Sequence, residues 1–165
     1  MTDSSEATAQ SSQNATSLPI RINAQYVKDL SFENPRAPQS LQPQQNQPQV
    51  DVHVDVKATK LADSVFEVVL TTTVNGTGDE GQLFLAELSY GGVFTLEGLP
   101  EEHLQGTLLV ECPRLLFPFA RNIVADITRD GGFPPLLIQP VDFAQLYRQS
   151  QQENAQAPAE ETLVQ

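Results

Sequence analysis

Residues 49–57 read QVDVHVDVK, with Val50, Val52, Val54 and Val56 alternating with Asp51, His53, Asp55 and Lys57. Strict period two with β-branched residues predicts a strand that buries one face and wets the other. His53 falls on the polar face. No cysteine or second histidine lies at ligand spacing from it, so it reads as an exposed strand histidine and not as part of a metal site.

Upstream of this strand, residues 33–49 read ENPRAPQSLQPQQNQPQ, with four prolines, six glutamines and no periodicity. Connections above about 12–15 residues are long for a hairpin, so this one suits a crossover between strands that are not neighbours. Before it, residues 20–30 (IRINAQYVKDL) suit an extended strand. Downstream, residues 64–74 (SVFEVVLTTTV) predict a third strand, closed by the turn-rich 75–81, and residues 82–90 (QLFLAELSY) a fourth. Gly91-Gly92 interrupts the last run before Val93–Leu96 resumes it. The pair suggests a bulge, a bend, or close approach of another backbone. A phosphate-cradling loop is excluded, because no Gly-Lys-Ser/Thr follows.

The period then changes to that of helices. Pro100 suits a first helical position, and Glu101 and Glu102 suit its positive end. Pro113 disfavours helical geometry at Cys112, which predicts a break or kink there. A second helical piece carries Ala120, Ile123, Val124 and Ile127 at helical spacing and stops at Asp130-Gly131-Gly132, with Pro118 in its first turn or at a kink. Residues 133–139 read as extended. A last helix is expected over 140–151, with Phe143, Leu146 and Tyr147 on one side. Strands first and helices last predict an α+β fold: a four-stranded antiparallel sheet with a long crossover loop, followed by two main helices packed on one side. The polar, apolar-poor residues 1–17 and the acidic residues 151–165 read as disordered tails around a domain of residues 18–150.

The 165 residues carry 21 acids against 9 bases, a formal charge of −12. Such a charge repels phosphate backbones and anionic headgroups, so nucleic acid is not expected as a partner, and a basic protein or peptide module is. Solubility alone is the plainer reading of the same acidity. No apolar run reaches the ~20 residues of a membrane span, and the N-terminus lacks a basic segment followed by an apolar one. The expected location is therefore cytoplasmic, without membrane insertion. The single cysteine, Cys112, excludes an internal disulfide and reads as a small buried hydrophobe. No catalytic triad order, zinc spacing or nucleotide loop is present in the sequence, so no catalytic residue, metal or cofactor is expected.

Several blocks then resemble one family. Residues 26–35 (YVKDLSFENP), 65–70 (VFEVVL), Gly91-Gly92-Val93-Phe94, 112–126 (CPRLLFPFARNIVAD), Gly132-Phe133-Pro134-Pro135 and Pro140-Val141-Asp142-Phe143 are similar, in one collinear order over about 18–150, to the SecB family of export chaperones. The resemblance implies an ATP-independent holdase that keeps precursor proteins unfolded, assembles as a dimer of dimers, and delivers its clients to the motor SecA. In that family an acidic outer sheet surface docks SecA through the motor's small zinc-binding tail, the zinc belonging to the partner.

Carried over residue by residue, Asp29, Glu33, Leu85 and Glu87 match the SecA-docking positions. Leu85 and Glu87, two apart on a strand, share a face. Ala86, Leu88 and Tyr90 point to the other face and match positions near the junction between dimers. Phe94, Phe143 and Tyr147 are candidates for the client groove, with ordinary core as the other reading of each. Two rival functions stand beside the export role: a SecB-like chaperone dedicated to a toxin–antitoxin pair, and a non-catalytic, oligomeric acidic adaptor.

Overall fold

Four long strands carry the architecture: β1 (Ile20–Glu33), β2 (Gln49–Ala62), β3 (Val65–Gly78) and β4 (Gly81–Leu96). In the computed structural model, which describes residues 20–156, they form one antiparallel sheet in the order β1-β4-β3-β2. β2–β3 and β3–β4 are tight hairpins. The 33–49 connection runs from one edge of the sheet to the other, so it is the expected crossover between non-neighbours. It contains one short 3₁₀ turn, Gln39–Leu41. Asp79, in the β3–β4 turn, fastens it: one carboxylate oxygen accepts from the backbone N–H of Gln45 (2.9 Å) and Asn46 (3.2 Å), and the other from Asn46 Nδ2 (2.7 Å).

β3 and β4 alternate as the pleat requires. Phe66, Val68, Leu70, Thr72 and Val74 of β3 and Phe84, Ala86, Leu88, Tyr90 and Phe94 of β4 are buried on the inner face. On β2, Val54 and Val56 are half-buried on that face, whereas Val50 and Val52 are exposed. β3 runs past the turn signal at Asn75-Gly76. The glycine makes room instead of turning the chain: a Cβ on Gly76 would stand 2.5 Å from the ring of Phe84. Gly91-Gly92 likewise makes neither a bulge nor a bend, since both pair in register with β3 and β1. What approaches closely is side chain. A Cβ on Gly92 would lie 2.7 Å from Phe94 Cε2 and 2.8 Å from Leu116 Cδ2.

The helices lie over the inner face. α1 (Glu101–Gly106) passes through a single π-helical turn (Thr107–Glu111) into α2 (Cys112–Asp130). The expected break at Cys112 is absent: its backbone stays right-handed helical, with φ −61° and ψ −50°. A wider π turn just before Pro113 relieves the clash between a proline ring and the carbonyl one turn back, so the helix bears the proline without stopping. Pro118 lies inside α2 with its ring exposed.

Cys112, Leu116, Ala120, Val124 and Thr128 form the buried stripe of α2 at four-residue spacing. Thr128 closes it. Its hydroxyl donates to the carbonyls of Val124 and Ala125 and accepts the N–H of Leu136 at 2.9 Å. That bond ties the extended segment after α2 back onto the helix. α3 (Phe143–Gln156) begins later and ends later than expected. Asp142 accepts from the N–H of Gln145 (3.0 Å) and caps its start. Residues 151–156, expected in a disordered tail, continue this helix. The 1–17 tail and residues 157–165 lie outside the described residues.

Candidate functional site

Two surfaces stand out, and the pleat of the sheet separates them. On the outer face, pairing aligns side chains in rows across four strands. Glu33 of β1 is opposite Leu85 of β4, which is opposite Asn75 of β3 and then Asp51 of β2. The next row reads Ser31, Glu87, Thr73, His53, and the third Asp29, Ser89, Thr71, Asp55. Asp29, Glu33, Leu85 and Glu87 are thus brought together on adjacent strands of one face. Asp29, Glu33 and Glu87 are exposed and Leu85 is half-buried. None of these three acids has an ionic partner among the described residues. Serine and threonine floor the face between the acids of β1 and β4 and the aspartates of β2, which sequence reading did not assign to it. Their place follows only from strand order.

β1 reaches this face through two irregularities, between Ile22 and Ala24 and between Val27 and Asp29. At the second, Lys28 and Asp29 together oppose Ser89. Lys28 donates to both carboxylate oxygens of Glu67 on β3, at 2.8 and 2.9 Å, and the Tyr26 hydroxyl donates to the same carboxylate at 2.6 Å. These side chains cross β4 above Gly91, where a Cβ would come within 2.6 Å of the Tyr26 ring. The Lys28 ammonium first, then the Tyr26 hydroxyl, hold the Glu67 carboxyl below the usual carboxylate range. Burial, reinforced by Glu67, pushes the Tyr26 hydroxyl up to about 12.

The second surface is a groove of about 710 Å³ between the free edge of β2 and α3. Its apolar wall is Val52, Val54 and Val56 on one side and Leu146 and Tyr147 on the other, with Leu109 of the π turn and Val141 between them. Five consecutive residues, Val52 to Val56, line it, so it follows the edge of the strand as well as its inner face. That edge has no partner strand among the described residues. Asp55, Asp142 and Glu153 stand on its rim, and no lysine or arginine lines it.

Of the three residues expected in a groove, Tyr147 lines this one. Phe94 and Phe143 are 0 % and 1 % exposed and belong to the core, Phe143 edge-on to Phe117 at 6.0 Å. The reason is position: Phe94 points beneath α2, and Phe143 is the first residue of α3, turned inward. Ala86, Leu88 and Tyr90 lie on the inner face as expected and are buried under α2 within a single chain. Tyr90 stacks on Phe119 at 6.2 Å and donates its hydroxyl to Gln25 Oε1 at 3.2 Å. Sequence reading missed the β2 wall of the groove. The valine alternation marked those residues for burial, and only the placement of α3 leaves them half-open.

Cys112 is buried, and desolvation pushes its thiol up to about 12, away from the reactive thiolate. Among the described residues no three His, Cys, Asp or Glu side chains converge as metal ligands, and His53 lies exposed on the outer face. No described helix is long and apolar enough to cross a membrane.

Comparison with known proteins agrees with this architecture. The family model described as preprotein translocase subunit SecB matches residues 12–154. The chain is 56 % identical over 140 residues to the protein-export protein SecB of Bradyrhizobium sp. strain BTAi1, covering 84 % of this chain and 85 % of that one. It is 53 % identical over 144 residues to that of Maricaulis maris, covering 87 % and 84 %. Among solved structures, a Mycobacterium tuberculosis SecB-like chaperone in complex with a peptide from an antitoxin superposes with a TM-score of 0.62 at 19 % identity, over 74 % of this chain and 91 % of that one. At that identity the likeness speaks for the fold. A matched family model over most of the length, and relatives above half identical, place this chain in the SecB family of protein-export chaperones.

Proposed function

We propose that this chain is an ATP-independent, non-catalytic holdase of the cytoplasm that keeps precursor proteins unfolded and hands them to SecA. The observation that carries the reading is the separation of two surfaces: an apolar groove along a free strand edge, and an acid-lined face on the other side of the same sheet. A free edge offers backbone hydrogen bonds that any extended chain can take, and the valine wall adds contact with little demand on sequence. Folded proteins bury such segments, so the groove selects for the unfolded state. The outer face, with Asp29, Glu33 and Glu87 around Leu85, suits a basic docking module: charge steers it in and the leucine supplies short-range contact. Neither surface suits nucleic acid, and nothing in the mechanism calls for a cofactor or for insertion into a membrane.

The working unit in this reading is a homotetramer, a dimer of dimers. Val27 (47 % exposed) and Leu30 on the inner side of β1, with Leu115 and Phe119 (50 %) on α2, form an apolar ledge at the edge of the fold. Ala86, Leu88 and Tyr90 act on that junction indirectly, by supporting α2 from beneath.

The test separates the surfaces. Asp29→Lys with Glu87→Lys should abolish calorimetric binding of the SecA tail peptide and leave arrest of precursor refolding intact. Val52→Asp should do the reverse. Undiminished peptide binding by the first variant would refute the assignment of the outer face. Loss of both activities in either variant would refute the separation.

A further inference from the structure

The bulge in β1 sits immediately before the first docking acid. A bulge interrupts the ladder, bends its strand and increases local twist, and β1 is a sheet edge supported by β4 alone. The five residues Asp29 to Glu33 carry two of the three docking acids, Asp29 and Glu33. In an unbulged strand Lys28 and Asp29 would point to opposite faces. Here both stand opposite Ser89, so a lysine emerges beside an acid that is meant to remain free. Glu67 draws that lysine away: Lys28 Nζ lies 2.8 Å from Glu67 Oε1, and Asp29 makes no ion pair among the described residues. The clamp spans three strands. Tyr26 and Lys28 reach from β1 across Gly91 of β4 to Glu67 of β3.

From this geometry we infer that Tyr26, Lys28 and Glu67 are positioning residues of the docking face: they pin the bulge, and so fix the bend that sets Asp29 and Glu33 in line with Leu85 and Glu87. None of the three need touch the partner. The inference rests on the reading of the outer face as a docking surface for a basic peptide.

Charge and position make opposite predictions for one substitution. Lys28→Met removes a positive charge beside the acids, so electrostatics alone would tighten binding of a basic peptide. Loss of the clamp instead loosens the acidic strand, and binding should weaken about fivefold, the scale seen when residues that contact no ligand alter a site. Calorimetry of the SecA tail peptide against parent, Lys28→Met and Lys28→Arg decides between them. Arg keeps the bridge to Glu67 and should bind as the parent does. Native-state amide exchange of residues 29–33 should accelerate in Lys28→Met and stay at the parental rate in Lys28→Arg. Tyr26→Phe removes one hydrogen bond of the clamp, and it serves as the second variant should Lys28→Met fold poorly. It should shift both readouts in the same direction by less. Binding by Lys28→Met that equals or exceeds the parent's overturns the positioning role. If the parent itself fails to bind the peptide, the docking reading falls, and the exchange rates judge the clamp alone: acceleration upholds it, and unchanged rates overturn it.

Discussion

Tyr26 is held between a glycine and a carboxylate. Its ring fills the space that a Cβ on Gly91 of the neighbouring strand would take, and its hydroxyl donates a hydrogen bond to the Glu67 carboxylate two strands away. Ionising it would place an anion beside Glu67 in a partly desolvated spot, hence the rise to about 12. A folded-state value raised above the unfolded one near 10 contributes stability that is fully present below pH ~10 and lost as the pH climbs through ~12. Spectrophotometric titration of the native chain should therefore show one tyrosine ionising late. In Tyr26→Phe that late step should vanish. A late step that survives the substitution would remove the clamp's hydrogen bond from the account. Burial first, and then the neighbouring Glu111 carboxylate, likewise raises the Cys112 thiol, which should alkylate only when the chain is denatured.

At the scale of elements, α2 and β4 meet where both have given up bulk. Gly92 leaves its place to the tip of Leu116 and the edge of Phe94, and Ala120 is the small residue one turn further along the helix stripe. Gly92→Ala inserts a methyl where ring and leucine atoms stand 2.7 and 2.8 Å away. Overpacking of this kind costs about 1–3 kcal/mol, and denaturant unfolding should register it as a lower midpoint with an unchanged slope. Gly81→Ala, by contrast, meets no neighbouring atom and suffers only from its φ of 112°. A Gly92→Ala variant as stable as the parent would mean that the helix can lift from the sheet at no cost. The groove's geometry depends on the same contact, since the π turn that supplies Leu109 is held by the start of α2.

At the scale of the whole molecule, the apolar ledge of Val27, Leu30, Leu115 and Phe119 is a surface that a second copy should cover. Light scattering should give a tetramer mass for the parent and a smaller species for Phe119→Asp, with the far-ultraviolet signature of the fold kept. The charge belongs at Phe119 and not at Leu88. Leu88 is 1 % exposed inside one chain, and a charge there would unfold the subunit before it informed on assembly. A concentration-independent monomer mass for the parent would remove the tetramer. A parental mass for Phe119→Asp would move the junction elsewhere. Docking on the outer face should also weaken with salt, because screening shortens to about 8 Å near physiological ionic strength.

Much of this architecture was legible in local pattern. The valine alternation of 49–57, the parity of Leu85 against Ala86, and the change of period after Pro100 each follow from the pleat or the helical turn, which act over a few residues. The family was legible because its blocks occur in one order along the chain. β1 shows where local pattern ends. Alternation from Ile20 and Ile22 to Leu30 and Phe32 runs unbroken in parity, and would turn Tyr26 and Lys28 inward. Two bulges cancel each other at the ends and reverse the middle, so Tyr26 and Lys28 face out and Val27 faces in. Nothing local signals this, because the gain is a bridge to Glu67, distant in sequence and brought close by strand order. Phe94 and Phe143 show the same limit. Their apolar character called for burial, but whether core or groove received them depended on where α2 and α3 settled over the sheet. The sequence by itself determined which faces are apolar and which are acidic. The tertiary structure alone decided which apolar residues stay open, because covering a face is a matter of what packs against it from elsewhere in the chain.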